Sequence, residues 1–363
     1  MKKLDWYLLK NFLTTFFFSI FLFTVIAVVV DVSEKTEDFV RSKLSFSQVV
    51  MQYYIGFVPH IIALLFPLFV FIAVIFFTSK LAGRTEIVAI LASGTSLRRI
   101  LRPYWVGGTL LGLILWFANQ YIIPKANEIR THFETVYVNG NSSYNPLMAK
   151  NNNIYFRLDS FSFAGIQYYD TLYKSGGPFF VNTVKNNKVT YNLRAESIKW
   201  DTLKKNWLLV NVYERYNDEI GERVSQIGEK SVAYPFKPIE LKRDDYTKDR
   251  LTTPELAAFI KRQESRGVEG LNTLKVEKYR RDATSFSVII LTLIGAIVAS
   301  RKVRGGSGAH LAFGFIAAAL YIIMDRFSTI FSTKGNLPAL LAAWIPNVCF
   351  AIVAVILYKK APK

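Results

Sequence analysis

The chain has 363 residues, 51% of them apolar, with 29 phenylalanines and a net charge of +18 from 45 Lys and Arg against 27 Asp and Glu. So basic a chain suits either nucleic acid or a membrane surface, and the placement of the charges decides between them. Cys349 is the single cysteine, which excludes an intrachain disulfide and leaves the fold to be held by packing.

Asn11 to Val30 is a run of 20 uncharged residues, which as a helix rises about 30 Å and matches the hydrocarbon core of a bilayer. Lys2 and Lys3 precede it as in a secretory signal. The run is longer than a signal core, however, and Val30-Asp31-Val32-Ser33 offers no small-x-small cleavage site, so it is expected to stay as a first span. A short loop from Asp31 to Lys43 follows, with Asp31, Glu34, Glu37 and Asp38 against Lys35, Arg41 and Lys43. Charge-free runs then recur at Met51–Ser79, Pro103–Pro124, Ala283–Ser300 and Gly335–Tyr358, with a shorter one, Gly305–Met324, ending at Asp325 and Arg326. The sequence therefore predicts six transmembrane helices, three before residue 125 and three after residue 281, in segments 1–124 and 282–363.

Lys2, Lys3, Lys10, Lys80, Arg84, Arg98, Arg99, Arg102, Arg301, Lys302, Arg304, Lys359, Lys360 and Lys363 all fall on one side of this layout, opposed there only by Asp5 and Glu86. That is the positive-inside pattern, and it puts both termini in the cytoplasm. The basic charge is explained by topology and by anionic headgroups, and a nucleic-acid partner is not needed.

Between the second and third runs, "GRTEIVAILASGTSLRRILRP" (83–103) predicts a short helix near 85–92. Thr85 and Glu86 suit its start, Ile87, Val88, Ile90 and Leu91 form an apolar patch, and Gly94 is its terminator. Ser96 then starts the next segment. Two readings fit: a turn lying in the headgroup region, or a docking helix whose apolar face enters a partner's groove while Glu86 pairs with a cation there.

Residues 125–281 differ in texture. Alternation in "NIYFRLDSFSF" (Ile154, Phe156, Leu158), in "NKVTYNLRAESIKW" (Val189, Tyr191, Leu193) and in "NWLLVNVYERY", broken by Lys174–Pro178, Lys185–Lys188 and Lys204–Asn206, predicts short strands in a sandwich or jelly roll. A helix near 254–266 follows, with Thr253 as N-cap, Leu256, Phe259 and Ile260 on one face and Gly267 beyond its end. The expected fold class is membrane α-helical with an inserted, exported all-β domain.

Catalytic signatures are missing. The chain has no G-x-x-x-x-G-K-[ST] and no G-x-S-x-G, and His60, His132 and His310 are scattered without metal-ligand spacing. We expect no enzyme, no metal and no cofactor of its own.

"KLDWYLLKNFLTTFFFSIFLF", "SKLAGRTEIVAILASGTSLRRILRPY", "NQYIIPKAN" and "GNLPALLAAWIPN" together resemble the lipopolysaccharide-export permease family of YjgP/YjgQ or LptF/LptG type, in the same order and with the same six-span layout. "NNNIYFRLDSF" and "LTTPELAAFIKR" look closer to the LptG branch. The resemblance implies a permease subunit of an ABC transporter in the bacterial inner membrane. One subunit of each type would form a heterodimer on a cytoplasmic ATPase dimer that binds the ATP. The machine would extract lipopolysaccharide and pass it to a single-span periplasmic bridge protein; the inserted domain would be a periplasmic jelly roll.

The resemblance also makes Thr85 to Ala92 a coupling helix, with Thr85, Glu86, Ile87, Ile90 and Leu91 toward the ATPase. It makes the first and fifth helices, Asn11–Asp31 and Gly308–Phe331, the walls and lateral gates for the lipid. Phe17, Ile20, Phe21, Val28, Phe315 and Tyr321 would meet acyl chains, and Arg326 would be a rim cation. Lys35, Arg41 and Lys43 either meet headgroup phosphates or balance Glu34, Glu37 and Asp38 on a solvated loop. Two other functions stay open: a membrane-anchored periplasmic binding or scaffold protein, and an exporter of another lipid-linked glycan.

Overall fold

A computed structural model describes residues 3–138, 154–170, 173–218, 221–241, 246–265, 267–268, 270–301 and 307–361. Lys2, Lys302, Arg304 and Lys363 of the basic set, and Asn151–Asn153 of the strand motif, lie outside them. The chain divides into two units, one of Met1–Tyr137, Lys248–Ala257 and Asn272–Lys363, the other of Val138–Thr247 and Ala258–Leu271.

In the first unit, six helices are long and apolar enough to cross a membrane. Helix α1 (Lys3–Ser42) runs for 40 residues, about 60 Å, so the stretch from Asp31 expected as a loop is helical. It contains neither Gly nor Pro, and Asp31–Lys35 and Glu37–Arg41 are i,i+4 ion pairs that support the helix. Helix α2 (Phe46–Val49) and a π-helical turn (Val50–Tyr54) lead into α3 (Ile55–Gly83), followed by α4 (Glu86–Ala92) and α5 (Leu97–Phe117). A second π turn (Ala118–Ile122) joins α5 to α6 (Ile123–Phe133), so the third long helix continues past residue 125. Pro124 follows the π turn, and its missing amide interrupts the backbone hydrogen-bond ladder of this continuous helix.

Helices α7 (Pro238–Leu241), α8 (Thr247–Arg250) and α9 (Thr253–Ser265) are short. The last long ones are α10 (Asn272–Ala299), α11 (Ser307–Lys334) and α12 (Ala339–Lys360). The cap of α9 is Thr252, one residue before the expected Thr253: the Glu255 carboxylate accepts hydrogen bonds from the Thr252 amide (2.9 Å) and hydroxyl (2.6 Å). Leu256 and Ile260 are buried on one face of α9, as expected.

Helices α3 and α10 form the centre, with α1, α5, α11 and α12 packed on them. Close approach of α5 to α10 needs glycine: a Cβ on Gly112 would lie 3.0 Å from the Ser285 carbonyl oxygen, and one on Gly108 would lie 3.0 Å from Thr292 Oγ1. Apolar side chains of α1, α3, α5 and α10, among them Phe12, Phe16, Val70, Val74, Tyr104 and Leu111, fill the space between.

The second unit is one antiparallel sheet of β1 (Ile154–Arg157), β2 (Ser162–Asp170), β3 (Ser175–Lys185), β4 (Lys188–Asp201), β5 (Asn206–Asp218) and β6 (Gly221–Val232), in sequential order. Among the described residues this is an open meander. The crossovers of a jelly roll are not seen there, because each strand turns directly into its neighbour. One face is the core, with Ile166, Phe179, Val181, Leu193, Trp207 and Leu209 against Phe236 and Leu241. Ile154, Phe156, Leu158 and Tyr191 join it, but Val189 is exposed. It lies next to the Lys185–Lys188 hairpin, beyond a register shift at Thr183/Val184.

Candidate functional site

The segment between α3 and α5 is built around α4. Thr85 precedes α4 with φ of 63°, a left-handed conformation that β-branched residues rarely adopt. Its hydroxyl donates to the Arg84 carbonyl at 2.6 Å and makes no cap, so the expected N-cap hydrogen bond is replaced by a bond within the turn. Gly94, φ 80°, and Ser96, at the start of α5, end the segment as expected.

Within α4 the apolar residues divide. Ile87 is 1% exposed and sits in the helical core, with Ile90 and Leu91 packed against it. The expectation that Ile87 faces a partner is therefore corrected, because α4 lies on α3 and turns this side chain inward; Ile90 and Leu91 are half-buried and keep part of their surface outward. The outward face carries Thr85, Val88, Ala89 and Ala92, with Glu86 at its edge. Glu86 Oε1 stands 3.9 Å from Arg84 Nη1, and both side chains reach solvent.

Near the far end of α1, Lys35 is not a free cation. It pairs with Asp31 at 3.2 Å and Glu134 at 3.4 Å, donates to the Tyr53 hydroxyl, and lies 4.4 Å from that ring's centroid. Asp31, 7% exposed, accepts from Tyr53 (3.0 Å) and Tyr54 (3.1 Å), while Arg130 pairs with Glu134 at 2.9 Å. The π-helical turn places both tyrosines on Asp31. Arg41 is exposed and pairs with Glu37 at 3.4 Å, and Lys43 is exposed at the chain reversal after α1. The three basic residues are thus separate: Arg41 balances Glu37, as one of the two readings had it, and Lys35 belongs to a structural network.

Phe17, Phe21 and Phe315 are exposed on α1 and α11, and Val28 is half-buried. Ile20 is turned into the core with Phe12 and Phe16, so its expected place on an outer wall is corrected. These residues recur at i,i+4 and form the one edge of α1 that packs inward.

Tyr321 and Arg326 line a cavity of about 360 Å³ between α3, α6, α8, α10 and α11. Its walls are apolar at Leu64, Pro67 and Leu68, and its polar end carries a charge cluster. Arg280 pairs with Glu277 (2.7 Å) and reaches Asp325 of α11 at 3.9 Å. Arg281, 6% exposed, meets Glu277 at 3.5 Å and donates to the Lys248 carbonyl (2.8 Å) and the Thr253 hydroxyl (3.0 Å). Burial, and after it the Glu277 carboxylate, push the Asp249 carboxyl above the ordinary aspartate range. Tyr321 donates to Asn347 (3.0 Å), which in turn holds the Ala283 carbonyl (2.6 Å).

Sequence reasoning found Asp325 and Arg326 but missed Glu277, Arg280 and Arg281. It placed "EKYRRD" outside the fourth span, whereas α10 begins at Asn272 and carries these charges on its first three turns. The signal was available: charges at 277, 280 and 281 share one helical face.

The arrangement suits a lipid-facing transport protein. A cavity that is apolar along its walls and charged at one end fits an amphiphile, and exposed apolar stripes on α1 and α11 fit a membrane. No curated relative matches the chain. The family model described as lipopolysaccharide export system permease LptF/LptG matches residues 6–360, so the chain belongs to that family, a multi-pass membrane transport component of a multi-subunit lipopolysaccharide export complex.

Proposed function

We propose that the chain is the LptG-type permease subunit of an ATP-driven exporter that extracts lipopolysaccharide from the inner membrane and hands it to a periplasmic bridge protein. The chain has no phosphate-binding loop, so energy enters from a separate cytoplasmic ATPase dimer. The basic residues beside the spans support cytoplasmic termini and a periplasmic sheet unit. A second permease subunit and the lipid cover the exposed faces of α1 and α11, and Arg326 is the cation offered at the edge of the cavity.

The observation that carries the coupling role is the division of α4. Its inner face is anchored in the core through Ile87, while Thr85, Glu86, Val88 and Ala89 face outward. Force applied to the outer face is passed through Ile87 to the helices it packs on, and Glu86 offers a carboxylate to a cation on the ATPase.

The test is co-purification of the ATPase with the Glu86→Ala permease, together with lipopolysaccharide release from proteoliposomes. Loss of one unscreened charge pair at an interface is expected to weaken association by roughly tenfold with membrane insertion intact. Normal co-purification and normal export in that variant would sink the docking role.

A further inference from the structure

A second cavity, of about 470 Å³, opens between the first turns of α5 and the last turns of α10 and α12. Its Arg98 lies 21 residues along α5 and the π turn after it from Asn119 of the first cavity, which is about 30 Å at helical rise and thus roughly a bilayer thickness. Along α10 the cavities come within two residues of each other, at Leu291 and Leu293, and it is their charged ends that lie at opposite membrane interfaces.

Arg98 and Arg102 project into this groove one helical turn apart. Both are exposed, and neither has an ion-pair or hydrogen-bond partner among the described residues; no carboxylate lines the groove. Trp105 (54% exposed) and Tyr358 (42% exposed) flank it from α5 and α12. Amphipathic rings of this kind sit at headgroup depth. Below them the floor is apolar, from Leu293 and Ile297 of α10 and Ala354 and Val355 of α12. The C-terminal end of α12 is tied to α10 by Arg301, which donates to the Lys360 carbonyl at 2.6 Å and adds further positive charge to this end.

We propose that this groove binds one acidic phospholipid of the leaflet in which it lies. The phosphate sits on Arg98 and Arg102 through charge-assisted hydrogen bonds, and an acyl chain runs along the floor between α10 and α12. A soluble anion would satisfy the arginines but leave the apolar floor empty. A neutral lipid would cover the floor and leave two cations without a counter-charge. The site is separate from the cavity that Arg326 lines, and it rests on the membrane-spanning reading of the helices alone.

The experiment is native mass spectrometry of the full-length permease, purified with its partner subunits and stripped of lipid. It is titrated with phosphatidylglycerol, with phosphatidylcholine of the same acyl chains, and with inorganic phosphate. The wild type is expected to hold phosphatidylglycerol about tenfold more tightly than phosphatidylcholine, and inorganic phosphate is expected not to displace it. Arg98→Gln with Arg102→Gln removes that preference, whereas Lys188→Gln, an exposed cation of the sheet unit, keeps it. Ala354→Trp fills the floor with both arginines present and lowers phosphatidylglycerol binding, which decides the matter if the double variant does not fold. Equal affinity for the two lipids, an unchanged preference in the double variant, unchanged binding in Ala354→Trp, or displacement by inorganic phosphate would each overturn the proposal.

Discussion

Helices α3 and α10 and helices α1 and α11 are all apolar enough to span a bilayer, yet they do opposite things with that surface. In α10, and in the run Phe46–Gly83 that contains α3, 61% of the apolar window is buried within the chain; in α1 the figure is 11% and in α11 17%. Hydropathy alone treats the four alike. The difference teaches that two of them are scaffold and two present their faces outward, where membrane lipid or another subunit must cover them.

The sharpest way to break the comparison is to treat matched phenylalanines differently by position. Phe71 of α3 is fully buried between α10 and α11 neighbours. Phe71→Ala is expected to cost about 4 kcal/mol, from lost burial plus a cavity, read as a large drop in the unfolding midpoint in detergent. A loss as small as that of an exposed site would refute the scaffold assignment.

Next in size is the one ionic link described between scaffold and periphery. Arg280→Gln leaves Glu277 and Asp325 facing each other without their shared cation, at a cost of roughly 2 kcal/mol after allowance for partial exposure. Adding Asp325→Asn should recover part of that loss. Strict additivity of the two substitutions would show that the pair is not coupled.

The smallest effect is expected at Phe21, 68% exposed on α1. Phe21→Ala should change the stability of the chain by no more than about 0.5 kcal/mol, while crosslinking of Phe21→Cys to a second subunit or to lipopolysaccharide tests what covers the face. A stability loss near that of Phe71 would put α1 in the scaffold after all.

Much of this architecture was legible because burial in lipid or protein writes itself into a sequence as length and period. The six spans, the strand alternation at Ile154, Phe156 and Leu158, the Gly94 stop and the Ser96 start were all read from residues alone. The candidate site was less legible. Lys35 looks like a free rim cation until the π-helical turn brings Tyr53 and Tyr54 to Asp31 and α6 brings Glu134 beside it. The β domain holds a similar case. Trp207 and Leu209 are buried at odd positions of β5, and Val212 and Glu214 at even ones. Asn211, φ 52°, shifts the phase, and Glu214 then pairs with Lys230 at 2.6 Å across the sheet.

By itself, then, the sequence determined which segments leave water and which residues terminate helices, because each depends on neighbours a few residues away. Only the tertiary structure decided that Ile87 faces inward, that Arg280 meets Asp325 from another helix, and that Arg98 and Arg102 share a groove with α10 and α12. Periodicity says that a helix has an apolar face and is silent about what that face will meet; partners distant in the chain are chosen by packing, which no local pattern encodes.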